Sequence, residues 1–161
     1  MAGISAGLLM YRVKDGELQV LLVHPGGPLF AHKDAGFWGI PKGLAHEGED
    51  LLATACREFE EETGIRPQGP FRELTPVKLK SGKTVHAWAF EGDCDPATIR
   101  SNTFAMEWPP HSGRTREFPE VDRAEFLTLD QAAARINPAQ RPLLDELRRA
   151  IRASRGAQGE R

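Results

Sequence analysis

Gly43-Leu44-Ala45-His46-Glu47-Gly48-Glu49-Asp50-Leu51-Leu52-Ala53-Thr54-Ala55-Cys56-Arg57-Glu58-Phe59-Glu60-Glu61-Glu62-Thr63-Gly64-Ile65 is the stretch of this 161-residue chain that says most about its fold. From Asp50 to Thr63 it holds neither Pro nor Gly, and Leu, Ala, Arg and Glu dominate, so a helix is predicted. Gly64 supplies the stop. At about 100° per residue, Leu52, Ala55, Cys56 and Phe59 gather on one side and pack inward. Glu58, Glu61 and Glu62 fall on a neighbouring arc, since residues three and four apart face each other, while Glu60 points to solvent.

Like charges at those spacings cost a helix roughly 0.2–0.5 kcal/mol a pair. A hard divalent cation reverses the sign, because Mg²⁺ takes carboxylate oxygens. An arbitrary Glu-rich helix is an acidic solvated face. Here the glycine loop and the Arg57-Glu58 step stand at fixed offsets from the acids, which favours a metal site. Upstream, Phe37-Trp38-Gly39-Ile40-Pro41-Lys42-Gly43 reads as a short strand running into a Pro/Gly turn. A glycine there lets backbone groups approach a metal or phosphate closely. Lys42 is either a plain surface lysine or a point charge for a phosphate.

Working outward, Ile4 to Val13 and Glu17 to Val23 are β-leaning runs joined by Lys14-Asp15-Gly16, a hairpin signal. His24 to Gly36 reads as a loop. Phe71–Lys80 and Thr84–Phe90 are expected strands joined at Ser81-Gly82-Lys83. Residues 91–121 are irregular apart from a short strand at Thr103–Trp108, and Ala124–Leu127 is a further strand. Thr128 to Gln131 has capping-box form and opens a helix to Ile136. Asn137-Pro138 caps a last helix to about Ala153, with Leu143, Leu144, Leu147 and Ile151 inward. The expectation is one domain over residues 1–153 with a flexible polar tail over 154–161.

Size and composition set outer bounds. One domain of this length carries a proper core. With 21 Lys+Arg against 23 Asp+Glu, the net charge of −2 offers no footprint for duplex nucleic acid. Cys56 and Cys94 make no disulfide framework. No run is long enough to span a membrane, and residues 1–12 lack the pattern of a signal peptide, so a soluble cytoplasmic protein is expected. A homodimer is compatible with the sequence. The histidines show no metal-binding spacing, and His24, His32, His46 and His111 read as surface loop residues.

Residues 43–65 match G-x5-E-x7-R-E-U-x-E-E-x-G-U (U apolar) at every specified position. In this the chain resembles the Nudix hydrolases. The resemblance implies an α/β/α sandwich with a mixed β-sheet and hydrolysis of a nucleoside diphosphate linked to another group X. Carried over by motif position, the Gly43 carbonyl and the carboxylates of Glu58, Glu61 and Glu62 are expected ligands of Mg²⁺ or Mn²⁺. Arg57 is expected to orient them with Glu49. The general base is a box glutamate such as Glu61 or one on a later loop, Glu120 first and Glu117 second.

Trp38-Gly-Ile-Pro-Lys-Gly43 is similar to the W-x-x-P-K-G of dinucleoside polyphosphate hydrolases, a form shared by unassigned NTP pyrophosphohydrolases. RNA 5′-pyrophosphohydrolases carry a related version. That favours a small nucleotide substrate with a long phosphate chain, with Trp38 and Lys42 at the site. Phe104 and Trp108 are candidate stacking platforms for a base, or core residues. Arg114 and Arg116, with Lys83 and His86, are candidates for distal phosphates. Two other readings stand beside this one. A nucleotide-binding module without turnover usually lacks a box carboxylate, and none is missing here. An isomerase on the same scaffold needs a catalytic cysteine in a motif that surrounds neither Cys56 nor Cys94.

Overall fold

The computed structural model describes residues 3–159. Strands β1 (Ile4–Lys14), β2 (Glu17–Pro25), β3 (Lys42–Leu44), β4 (Arg72–Lys78), β5 (Thr84–Glu91) and β8 (Val121–Thr128) form one sheet in the order β4-β5-β1-β2-β8, with β3 paired to β1. Helices α1 (Leu51–Thr63), α2 (Leu129–Arg135) and α3 (Arg141–Gly159) cover it. The pair β1–β5 is parallel and the other pairings are antiparallel, so the sheet is mixed. A separate hairpin joins β6 (Thr103–Glu107) to β7 (Thr115–Pro119).

Strand alternation explains the layering, because successive side chains point to opposite faces. Leu8 and Met10 on β1 and Leu21 on β2 pack against Ala55 and Phe59 of α1. Leu9, Val20 and Leu22, the intervening residues, pack with Leu143, Leu144 and Leu147 of α3 and with Ala132 of α2. Both faces of the sheet are therefore buried, which yields the expected sandwich. Phe59 is fully buried, its ring edge-on to Phe90 with centroids 5.3 Å apart. Burying such a side chain stabilises the helix–sheet contact by about 1.5–3 kcal/mol.

Several boundaries differ from the sequence reading. The strand expected before the helix is confined to Lys42–Leu44. Trp38 and Gly39 make only isolated bridges, to Ile136 and Val23. The irregular stretch contains a second strand, β7, paired residue for residue with β6. Its polar Thr-Arg-Glu sequence hides it, since both faces of most of this ribbon are solvated and no alternation marks it. The last helix begins at Arg141, after a 3₁₀ turn at Pro138–Gln140 whose Ala139 N–H donates to the Asn137 side chain at 3.0 Å. It continues to Gly159, past Ala153, because an established helix extends readily through Arg, Ala and Gln. Of the expected tail, residues 160–161 lie outside the described residues. Among the described residues, no helix is long and apolar enough to cross a membrane.

Candidate active site

Helix α1 is set by its ends. Asp50 caps it, its carboxylate accepting from the Ala53 N–H at 3.0 Å. Gly64, at φ 77°, closes it with its N–H on the Glu60 carbonyl at 2.7 Å. Only glycine takes that conformation without strain. Between the caps, Ala55 and Phe59 are buried and Glu60 is exposed, as the spacing predicts. Leu52 and Cys56 are half-buried, and Thr54 and Thr63 complete the inward side by donating their hydroxyls to the Asp50 and Phe59 carbonyls.

Arg57 organises the acids. Its Nε and Nη2 donate to the two carboxylate oxygens of Glu49, each at 3.0 Å. That bidentate pairing, with the His46 N–H, holds the Glu49 carboxyl down at about 2. Nη1 donates to Glu58 at 2.9 Å and to Glu61 at 3.3 Å. The same acids raise the Arg57 pKa, Glu49 foremost. Glycine is required at position 43, because a Cβ there would lie 2.1 Å from the Glu58 Cδ. The loop backbone and the Glu58 carboxylate are thus in direct contact.

Away from Glu49 the balance turns negative. Burial first, then Glu61, pushes the Glu58 carboxyl up against the opposing pull of Arg57. Glu62 is pushed to about 8, chiefly by burial, with Glu58 and Glu120 adding and Lys42 opposing. Its Oε2 is buried with no hydrogen-bond partner. Burial likewise raises Glu120, reinforced by Glu58 and Glu61. Lys42 is shifted down by burial, with Glu62 opposing. Such a cluster is an unfinished electrostatic arrangement that a cation would complete. Among the described residues no three acids, histidines or cysteines already converge as a ligand set. Arg57 holds Glu58 and Glu61, so a cation bound by them would need their carboxylates to turn.

A cleft of about 360 Å³ opens beside these groups, lined in part by Lys42, Glu62, Glu120, Phe30, Phe37 and Gln140. Lys42, Glu62 and Glu120, widely separated in sequence, meet there. Glu120 sits between β7 and β8, its N–H on the Asn102 carbonyl and its own carbonyl accepting from Gly26, both at 2.9 Å. Asn102 in turn donates its N–H to the Glu61 carbonyl at 2.7 Å, so the Glu120 loop is knitted to the C-terminal turn of α1. Glu117 lies on β7, exposed and outside the cleft lining.

The aromatic expectations divide. Trp38 borders the cleft but is 1% exposed, its indole N–H given to Asp34 at 2.6 Å. Phe104, Trp108 and Arg114 belong to the β6–β7 hairpin region and do not line the cleft. Phe104 packs on Phe118 and against Gly27, and Arg114 is exposed. Phe30 and Phe37, with ring centroids 6.2 Å apart, are the aromatic rings that stand open to the cleft. The sequence offers no sign of this beyond their place in a Pro/Gly loop, whose path only the fold decides. His24 also departs from the surface-loop reading. Strand β2 runs on to Pro25, so its side chain turns inward and is fully buried.

The NUDIX domain family model matches residues 1–147, and the chain belongs to the Nudix family. Enzymes of this family generally use a divalent metal such as Mg²⁺ or Mn²⁺. The chain is 31% identical over 125 residues to an RNA pyrophosphohydrolase of Rhizobium meliloti (strain 1021), covering 68% of this chain and 70% of that protein. It is 34% identical over 103 residues to the asymmetrical bis(5'-nucleosyl)-tetraphosphatase of Rattus norvegicus, covering 56% of this chain and 66% of that one. Among solved structures, the C. elegans Ap4A hydrolase binary complex superposes with a TM-score of 0.64 at 20% identity, over 92% of this chain and 98% of that one. That likeness is one of fold.

Proposed function

We propose that this protein is a divalent-metal-dependent pyrophosphohydrolase of a nucleoside diphosphate linked to X, with a dinucleoside polyphosphate or an NTP as its substrate. The observation that carries the reading is Glu62, whose Oε2 is buried without a hydrogen-bond partner and whose carboxyl is raised to about 8, set with Lys42 and Glu120 in one cleft. Glu58, Glu61 and Glu62, with the Gly43 carbonyl, are the groups to hold Mg²⁺ or Mn²⁺, and Arg57 orients the first two. When bound, the metal supplies charge neutralisation for the pyrophosphate and acidifies the attacking water. Glu120 accepts the proton of that water as its oxygen bonds to phosphorus and the bridging P–O bond breaks. Lys42 meets a phosphate oxygen, and Phe30 and Phe37 offer a platform for the base.

Two consequences follow from the geometry. Gly43→Ala places a methyl group against the Glu58 carboxylate, and should weaken Mn²⁺ affinity and kcat/KM by about 10–100-fold. Calorimetric titration and initial rates measure both. The second concerns pH. Glu62 binds a proton more tightly folded than unfolded, so its contribution to stability is complete below the ordinary carboxylate range and is lost as pH rises to about 8. Glu58 and Glu120 act in the same direction. In EDTA the Tm should fall between pH 5.5 and pH 8, and Mg²⁺ or Mn²⁺ should restore it most at the upper end. A metal-free Tm that rises over this window would contradict the assignment.

The function itself is tested by product analysis with Mg²⁺ or Mn²⁺ on diadenosine tetraphosphate, ATP, dNTPs, ADP-ribose, NADH, a diphosphoinositol phosphate and triphosphorylated RNA. Conversion of diadenosine tetraphosphate to ATP and AMP, or of an NTP to its monophosphate and pyrophosphate, supports the reading. Pyrophosphate release from RNA alone would move the assignment to RNA 5′-pyrophosphohydrolase, the activity named for the Rhizobium relative. No turnover by a folded, metal-binding protein would make it a binding module.

A further inference from the structure

His24 is fully buried, and each ring nitrogen faces a group that only accepts hydrogen bonds. Nδ1 lies 2.7 Å from the Asp122 carboxylate and Nε2 lies 2.6 Å from the Lys33 carbonyl. A neutral imidazole has one donor and one acceptor, so it satisfies only one of these partners. The Asp122 side chain is 31% exposed with the Arg123 Nε at 3.8 Å. Pairing of both partners at once therefore needs an N–H on each ring nitrogen. The Trp38 ring packs edge-on to the imidazole with centroids 5.4 Å apart. Asp34, bonded to the Trp38 N–H, adds a further negative group. Against these stand Arg123 and Arg135, whose guanidinium carbons lie 5.3 and 5.7 Å from the Trp38 ring centroid.

The two partners connect to different segments that line the cleft. Lys33 sits in the turn that carries the aromatic wall. Its N–H donates to the Phe30 carbonyl at 3.0 Å, and its ammonium lies 5.7 Å from the Phe37 ring centroid. Asp122 follows two residues after Glu120, whose carbonyl accepts from Gly26, two residues past His24. We propose that His24 is a positioning residue which, through contacts at both ring nitrogens, ties the Phe30–Phe37 wall to the Glu120 loop and so sets the spacing between the nucleobase platform and the general base. This rests on the nucleotide hydrolase reading for its kinetic consequence, but the bridge itself stands apart from it.

The first measurement is ¹⁵N-resolved NMR of the wild-type imidazoles at neutral pH. His24 should show both ring nitrogens protonated. A ring with one unprotonated nitrogen overturns the proposal, whatever the enzyme does. The second is the measurement of KM and kcat for a nucleotide substrate in the wild type, His24→Gln and Asp122→Asn. Loss of a hydrogen bond to a charged group should raise KM about ten- to hundredfold in His24→Gln, with Mn²⁺ affinity unchanged. Asp122→Asn, which keeps an acceptor for the Nδ1–H, should raise KM less than His24→Gln. An unaltered KM in His24→Gln overturns the positioning role. Absence of turnover by the wild type refutes the hydrolase reading instead. The NMR result and the Trp38 indole and Phe30/Phe37 resonances then decide the latch alone: broadening of those signals in folded His24→Gln supports it, and unchanged signals overturn it.

Discussion

Glu62→Gln should reduce turnover by roughly three orders of magnitude or more, since it deletes a carboxylate from a set whose metal provides several kcal/mol of transition-state stabilisation. The fold should survive. The side chain keeps its size, and the amide removes a charge that burial already disfavours, as the rise of Glu62 to about 8 reflects. In EDTA at pH 8 the variant should therefore unfold at a temperature equal to or above that of the wild type. The added stabilisation by Mg²⁺ or Mn²⁺ should shrink at the same time. Near-normal turnover would remove the metal site from α1. A variant that loses activity by unfolding would show a collapsed metal-free Tm instead.

Glu120→Gln should lower kcat by about 10²–10⁴, the range of a positioned general base, while cation affinity stays near the wild-type value. Three features single it out from Glu117. It lines the cleft with Glu62 and Lys42, it is knitted through Asn102 to the end of α1, and burial with Glu58 and Glu61 raises its carboxyl. A raised base loses its proton later, so the acid limb of the wild-type pH–rate profile should shift toward neutrality and vanish in Glu120→Gln. Glu117→Gln, exposed on β7, should behave like the wild type. Wild-type kinetics for Glu120→Gln would return the base role to a box glutamate, Glu61 first.

Helix α1 and its acids were legible in the sequence because the information there is local. Caps at Asp50 and Gly64, helical spacing, and the offsets of Gly43, Glu49 and Arg57 all act within one continuous segment. Strand alternation in β1 and β2 was legible for the same reason, as was the capping box at Thr128. Position in space was not. Phe104 and Trp108 carry the right chemistry for stacking, yet strand pairing puts them on a hairpin outside the cleft, while Phe30 and Phe37 line it together with Lys42 and Glu120.

His24 shows the limit most sharply. Two further residues of β2 turn a residue read as part of a loop into a buried ring between Asp122 and Lys33. The sequence by itself determined the composition of helix α1, whose periodicity and caps need no distant partner. Only the tertiary structure decided which distant residues join it, because burial, unpaired carboxylates and shifted protonation arise from what the sheet brings within a few ångströms.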